Sequence, residues 1–384
     1  MGKLISLCCE DKMFDKIRSI FITKSSAAAP LIALHSARRP QWTPRNFAAM
    51  TREGFAGNVI GYRCVRMIAD AASSVPLLMQ VNGEEVETHA LRHVLARPNP
   101  VQGGRDLLDT LYAQLMLAGN AYAELVFLDG GPREIFALRP DRMAVVPSRS
   151  GWPEAFEYSV GGSSVRLPRD SVLHLKLFNP SDDHYGQSPL EAAARAIDTH
   201  NAASAWNKAM LDNAARPSGA LVFAANDGHL TAEQFERLKT ELQSAYQGAA
   251  NAGRPLVLEG GLDWKEMGFS PKDMDFIESK NMAAREVALA FGVPPMLLGI
   301  PGDNTYANYA EANRVFWRQT IVPLVLRVAD ALALWLEPHA GGALSLVPDL
   351  DQVEALAPDR DALWKRVNDA AFLTAAEKRQ AVGF

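Results

Sequence analysis

Apolar positions recur at helical spacing from Asn46 to Val75, where Phe55, Val59, Tyr62, Met67 and Ile68 predict one helix that "SSVP" stops. The strand "VPLLMQV" then meets "NGEE", in which Asn-Gly tolerates the positive φ of a tight hairpin. A second helix is predicted from about Arg105 to Leu117, ended by Gly119-Asn120. From Tyr122 to Lys176 the period shortens. "AYAELVFL", "EIFALRP", "RMAVVP", "AFEYSV", "SSVRL" and "SVLHLKLF" are β-like runs split by Gly, Pro and Asp, with "SVGGSS" as a Gly-Gly hairpin. The fold class predicted here is α+β, with a mostly antiparallel sheet.

Beyond Phe178 long helices take over. Ser188 as N-cap, Pro189 at the first helical position and Glu191 at the third predict a helix start by capping box and pre-set φ. That Ala-rich helix runs to about Ala215, a span of ~40 Å at ~1.5 Å per residue. A small α/β unit follows: strand "GALVFA", a helix capped by Thr231 with Gln234, and strands "RPLVLEG" and "LDWKEMG". The next helix is capped by Ser270, opened by Pro271 and ended by Gly292, which suits the left-handed position after a helix. Phe276, Ile277, Ala283, Ala284, Val287, Ala288 and Phe291 share a face of about 140°. Asp275, Glu278, Arg285 and Glu286 lie mainly opposite, and Lys280 interrupts the apolar face. After "FGVPPMLLGIPGDNT" a third long helix spans about Ala307 to Glu337. Pro323 inside it predicts a kink, since an interior proline costs ~3 kcal/mol in a straight helix. The tail is two short helices, the second capped by Thr374 with Glu377.

Composition narrows the function classes. The 384 residues are 48% hydrophobic and 22% charged, with a net charge of −5. A general DNA-gripping surface needs excess Lys and Arg, which this chain lacks. Cys8, Cys9 and Cys64 have no framework spacing, which argues for a reducing compartment. The most apolar stretch, Thr320 to Leu336, carries Pro323, Arg327 and Asp330, so no membrane span is expected. "MGKLIS" with Cys8-Cys9 fits a lipidation pattern. The preferred reading takes Met13 as the natural start and residues 25–40 as a flexible arm.

Candidate chemistry is sparse. No phosphate-cradling G-x-x-x-x-G-K-[ST], H-E-x-x-H or paired C-x-x-C occurs. "GQSPL" lacks the second glycine of a nucleophile elbow. His89 and His93, spaced i, i+4, read as a solvated pair, and Asp182-Asp183-His184 as a polar loop. Cys64 reads as a small buried hydrophobe. No catalytic residue, metal or cofactor is assigned.

Several stretches, in order, carry a resemblance: "IGYRCVRMIADAASSVPL", "LRHVLARPNP", "LMLAGNAYAEL", "LRPDRM", "HLKLFNPSDDHYGQSPLEAA", "NAARPSGAL", "AGRPLVLEGGLDWKEMGFSPKDMDFIESKNMAAREVALAFGVPPMLLG" and "NYAEANRVFW". From about Phe55 to Leu336 the chain resembles the portal proteins of tailed phages, Hong Kong 97 branch, and is similar to the portal of a bacterial gene transfer agent. The resemblance implies a portal fold. After an N-terminal arm (1–40) come an α/β wing (41–187), a stem helix (188–215), a small α/β clip (216–270) and a second stem helix (271–292). A tunnel loop (293–308), a kinked wing helix (309–340) and a short helical crown (341–384) complete it.

It further implies a ring, usually of twelve subunits, at one capsid vertex of a virion or phage-like particle assembled in the bacterial cytoplasm. Double-stranded DNA would be the cargo, and the partners would be the major capsid protein, a head-tail adaptor and the terminase large subunit, which hydrolyses ATP. Gly299, Ile300, Pro301, Gly302, Asp303, Asn304 and Thr305 would face the channel in the tunnel loop. Lys280 and Arg285 are the stem's channel-facing candidates, and Phe276, Ile277, Ala284, Val287 and Phe291 would pack neighbouring stems. Clip edges at Leu221 and Val222 and at Leu256, Val257 and Leu258 would pair between subunits. A bore that must release its cargo suits an acidic or neutral chain. Two other readings compete: an enzyme with dispersed residues such as His174 or His184, and a membrane-surface protein held by its N-terminus.

Overall fold

The computed structural model describes residues 41–128, 130–212, 219–223, 262–266, 276–302 and 306–383, with scattered positions between 231 and 240. The predicted arm at 1–40 lies outside the described residues. So does most of the helix expected after Thr231, and so does the helix start expected at Ser270.

The recurrence from Asn46 does not form one helix. A turn at Phe47–Met50 runs into a wide π turn at Thr51–Ala56, and α1 (Val59–Ser73) starts afresh after Asn58. Asn58, only 1% exposed, is the reason for the break. Its Oδ1 accepts the N–H groups of Ile60 and Gly61, capping α1. Its Nδ2 donates to Asn201 Oδ1 at 2.8 Å and meets His200 Nδ1 at 3.1 Å. The apolar spacing that crosses the break is partly a surface feature: Val59 and Tyr62 are 69% and 49% exposed, and Tyr62 lies against half-buried Phe55 with ring centroids 5.0 Å apart.

The hairpin of β1 (Leu77–Val81) and β2 (Glu84–Glu85) turns at Asn82 and Gly83, both with positive φ (55° and 83°) as predicted. Helix α2 (Ala90–Ala96) is capped by His89, whose Nδ1 accepts from Leu91 N–H while Nε2 lies 3.2 Å from the Ala340 carbonyl. His89 is thus a cap and a bridge rather than half of a solvated pair; His93 is exposed. Helix α3 (Gly104–Ala118) ends at left-handed Gly119.

The predicted β region is two three-stranded antiparallel sheets rather than one. They comprise β3 (Asn120–Leu128), β4 (Gly131–Leu138), β5 (Met143–Pro147), β6 (Pro153–Val160), β7 (Ser163–Pro168) and β8 (Val172–Lys176), ordered β4-β3-β8 and β5-β6-β7. β3 is buried on both faces. Ala121, Ala123 and Leu125 enter the main core, whereas Tyr122 enters a second core with Leu138, Met143, Phe156, Leu167 and Val172. His174 stacks on Tyr122 (ring centroids 4.3 Å apart) with its Nε2 3.0 Å from Asn120 Oδ1.

Ser188 caps the next helical turn through Glu191 N–H, but the reciprocal half of the expected capping box is replaced by a contact from Glu191 to Arg45 at 3.8 Å. The turn Pro189–Ala192 is offset at Ala193 from α4 (Ala194–Asp212). β9 (Gly219–Phe223) and β10 (Leu262–Glu266) pair antiparallel, and α5 (Phe276–Ala290) follows. α6 (Tyr306–Phe316), a π turn at Trp317–Ile321 and α7 (Val322–Leu336) form one irregular helical rod. Pro323 falls in the first turn of α7, where its missing N–H costs little. The expected kink therefore takes the form of a widened turn just ahead of the proline.

β11 (Leu344–Pro348) joins β1 in the order β11-β1-β2. α8 (Ala357–Asp369) and α9 (Ala375–Ala381) close the chain, the latter with the full Thr374–Glu377 capping box. The stretch Asn308–His339 is long and apolar enough to cross a membrane by length and composition. Yet Val325, Val328, Ala329, Leu332 and Leu336 of α7 are at most 1% exposed and belong to the main core with α1, α3 and α5.

Two stability predictions follow from this packing. Asn58→Ala removes a cap and orphans buried polar groups on α4, and should cost about 2–4 kcal/mol in denaturant melts. A loss below ~1 kcal/mol would show that water replaces the amide. Burial, with help from Lys176 and His184, lowers the His174 pKa to about 4, so the folded chain prefers neutral imidazole. Its contribution is complete above the unfolded value near 6.5 and is lost as pH falls toward 4, by up to about 3 kcal/mol. His174→Gln should flatten that limb of a stability-versus-pH profile; an unchanged limb would assign it to other groups.

Candidate functional site

Helix α5 is positioned by its small apolar residues. Ala283, Ala284, Val287, Ala288 and Phe291 are all buried, against α4 and α1 within the same chain. The predicted stem-packing face is therefore occupied without a second copy. Ile277, on the same side of the wheel but one turn beyond these contacts, is 75% exposed. Phe276 begins the helix, and its side chain is outside the described residues. Met282 and Leu289 lie on the other side, 52% and 79% exposed.

Lys280 falls between the buried positions on the helical wheel, is half-buried, and is near enough to His200 of α4 for its charge to act there. Burial first, and then the charge of Lys280, lowers the pKa of His200. Lys280 thus belongs to the α4–α5 seam, where the notch in the apolar face lies. Arg285 leaves the opposite side of α5, and its Nη2 donates to the Pro301 carbonyl.

α5 ends because Gly292 adopts φ 66°, with Val293 N–H returning to the Ala288 carbonyl at 2.9 Å. Pro294 and Pro295 then fix two φ values, and Pro295–Leu298 forms a 3₁₀ turn closed by left-handed Gly299 (φ 71°). Val293, Leu297 and Ile300 are 2%, 8% and 5% exposed. The first part of the predicted loop is consequently a folded plug. Ile300, expected among the channel-facing residues, is an anchor in the core, because an isoleucine gains more by burial than a solvated loop tip offers. Gly299, Pro301 and Gly302 are exposed; Asp303, Asn304 and Thr305 lie outside the described residues.

The plug is tied to the rod as well. Thr320 in the π turn donates from Oγ1 to the Gly292 carbonyl at 2.6 Å. Sequence reasoning missed Thr320, since a threonine inside an apolar helix gives no signal until the partner carbonyl is known. It missed the Asn58–His200–Asn201 knot for the same reason.

In the small unit, Leu221 and Val222 of β9 face Trp264 and Asp263 of β10 in register, so one edge of β9 is paired inside the chain. Leu256, Val257 and Leu258 lie outside the described residues.

The residues singled out for chemistry have structural partners. His174 is held by Asn120 and stacked on Tyr122, at the wall of a cavity of about 1010 Å³ that Trp152, Arg169, Leu334 and Trp335 also line. Asp182 accepts the N–H groups of His184 and Tyr185, which makes the predicted polar loop an Asx turn. Burial pushes the Cys64 thiol up to about 12, the opposite of an activated nucleophile. Among the described residues no group of three or more His, Cys, Asp or Glu is placed to hold a metal ion.

A family model described as phage portal protein matches residues 60–383. A chain from the neck of an empty GTA particle, computed with C6 symmetry, is 54% identical and covers 90% of this chain and 96% of its own, at a TM-score of 0.72. A chain from the neck of a native GTA particle, computed with C12 symmetry, is also 54% identical, covering 90% of this chain and 95% of its own at a TM-score of 0.70. The portal protein of Enterobacteria phage HK97 is 23% identical over 83% of this chain and 77% of its own length. The expected portal fold of mixed helix and sheet is the fold observed, and with a family match running from α1 to the end of the chain, this chain belongs to the phage portal protein family, whose members serve as structural DNA conduits rather than enzymes.

Proposed function

We propose that this chain is one subunit of a ring of twelve, set at one vertex of a gene-transfer-agent-like particle and passing double-stranded DNA during packaging and ejection. The observation that carries the reading is the 54% identity to the neck protein of GTA particles, one of them computed with C12 symmetry, across nearly the whole of both chains. In this reading residues 41–187 and 309–340 form the wing, α4 and α5 the stem, 216–270 the clip, 293–308 the tunnel loop and 341–384 the crown. The capsid, a head-tail adaptor and the terminase large subunit dock on the ring, which assembles in the bacterial cytoplasm, and ATP hydrolysis belongs to the terminase.

Charge supports a conduit. With a net charge of −5 the subunit has no surplus of cations to hold phosphate by counterion release. The exposed apolar side chains of α5 support a ring: because most of the inward face of α5 is satisfied inside the chain, Met282 and Leu289, with Ile277 near the start of the helix, are the exposed large apolar residues of α5 that a neighbouring copy could cover. The β9–β10 pair, to which no further strand is added among the described residues, would offer the clip a second contact between copies.

Negative-stain class averages of the purified chain should show rings with a central hole and about twelvefold symmetry. A compact dimer or tetramer would sink the proposal. Leu289→Asp should leave the melting midpoint of the isolated subunit unchanged and abolish rings, since a carboxylate cannot be buried unpaired; intact rings would move the interface off this face. Replacing Pro301–Asn304 with two glycines, which spares the Ile300 anchor, should preserve rings and lower the fraction of DNA-filled particles. Normal filling would remove this segment from the channel.

A further inference from the structure

Half-buried Arg285 of α5 and the end of the plug are joined. Arg285 Nη2 donates to the Pro301 carbonyl, and a Cβ added at Gly302 would lie 3.0 Å from that same nitrogen. The guanidinium therefore lies close against the backbone at Gly302, where an added side chain would have to displace it by a few tenths of an ångström. At the other end Thr320 Oγ1 holds the Gly292 carbonyl, and between them Ile300 is seated in the core with its N–H on the Pro295 carbonyl. Segment 292–302 is thus fastened to the π turn where it begins and to α5 where it ends.

From this clamp we infer that Arg285 is a loop-positioning residue: it fixes the direction in which the chain leaves the core at Pro301, and is not a cation that grips DNA. The inference rests on reading 293–308 as the channel loop. Pro301 has no N–H, so its carbonyl is the one backbone group there that a neighbour can hold. A guanidinium donor makes that bond charge-assisted, and its rigid fork reaches across the helix side in a geometry that a lysine ammonium does not reproduce. A guanidinium committed to a carbonyl is also less available to phosphate, which suits a bore that must let its cargo slide.

The test is hydrogen–deuterium exchange on the full chain, following the peptide that contains Ile300 and Gly302, for wild type, Arg285→Ala and Arg285→Lys. Arg285→Ala should speed exchange of that peptide by about tenfold or more, with the amides of α5 unchanged. Arg285→Lys, which keeps the charge, should reproduce most of the increase. Gly302→Ala, which pushes a methyl group at Nη2, should give a smaller increase with the arginine still present. Unchanged exchange in Arg285→Ala, or wild-type exchange in Arg285→Lys, would overturn the positioning role. Particles carrying Arg285→Ala should form rings and retain less DNA. Faster exchange with normal DNA retention would keep the clamp and refute the channel-loop reading on which its purpose depends.

Discussion

A helix that buries Ala283, Ala284, Val287, Ala288 and Phe291 against two neighbours has no rotational freedom left. Small residues on that seam let α4 approach closely, and each side chain of α5 then has an assigned direction. Lys280 is half-buried with its charge acting on His200, Arg285 reaches Pro301, and Leu289 lies at the surface. Gly292 inherits a fixed place at the end of the seam, and with it the starting point of everything up to Gly302. The loop is thus defined by helix packing before any residue of its own is considered.

Among the described residues, the titratable groups with shifted pKa values are not arranged against one another. An active site sets titratable groups against each other with their pKa values pushed toward a task. Here His174, His200 and Cys64 are perturbed first by burial. The two imidazoles have neutral partners, Asn120 for His174 and Asn58 for His200, while Asp182 is perturbed chiefly by the backbone N–H groups of its own turn. What the chain positions with care is backbone, at Gly292, Gly299 and Pro301.

Much of this was legible in the sequence, and the limits were physical. Strands, hairpins and the Gly292 terminus were readable because turn chemistry is local: Asn82-Gly83 and Gly161-Gly162 need no distant partner. Periodicity found the apolar face of α5 but not what covers it, since a side chain within a subunit and one between subunits obey the same spacing. The break at Asn58 was hidden because apolar spacing ran across it. His89 and Lys280 were misplaced for a related reason: a polar residue declares its type, but its partner lies 251 residues away for His89. Ile300 was read with its loop neighbours, although its own hydrophobicity argued for the core.

The π turn at Trp317–Ile321 has a geometric consequence. An extra residue within one turn rotates everything on one side of it by about 100° relative to the other. α6 and α7 therefore belong to one continuous helical stretch but differ in the faces they present, like two gears keyed at different angles. A single rod can press α7 into the sheets while α6 and the π turn present a differently oriented flank toward α8, where Arg314 of α6 and Arg318 of the π turn meet Asp359. Pro323, at the start of α7, has no N–H to bond back into the widened turn and so disfavours regular α-helix across that junction.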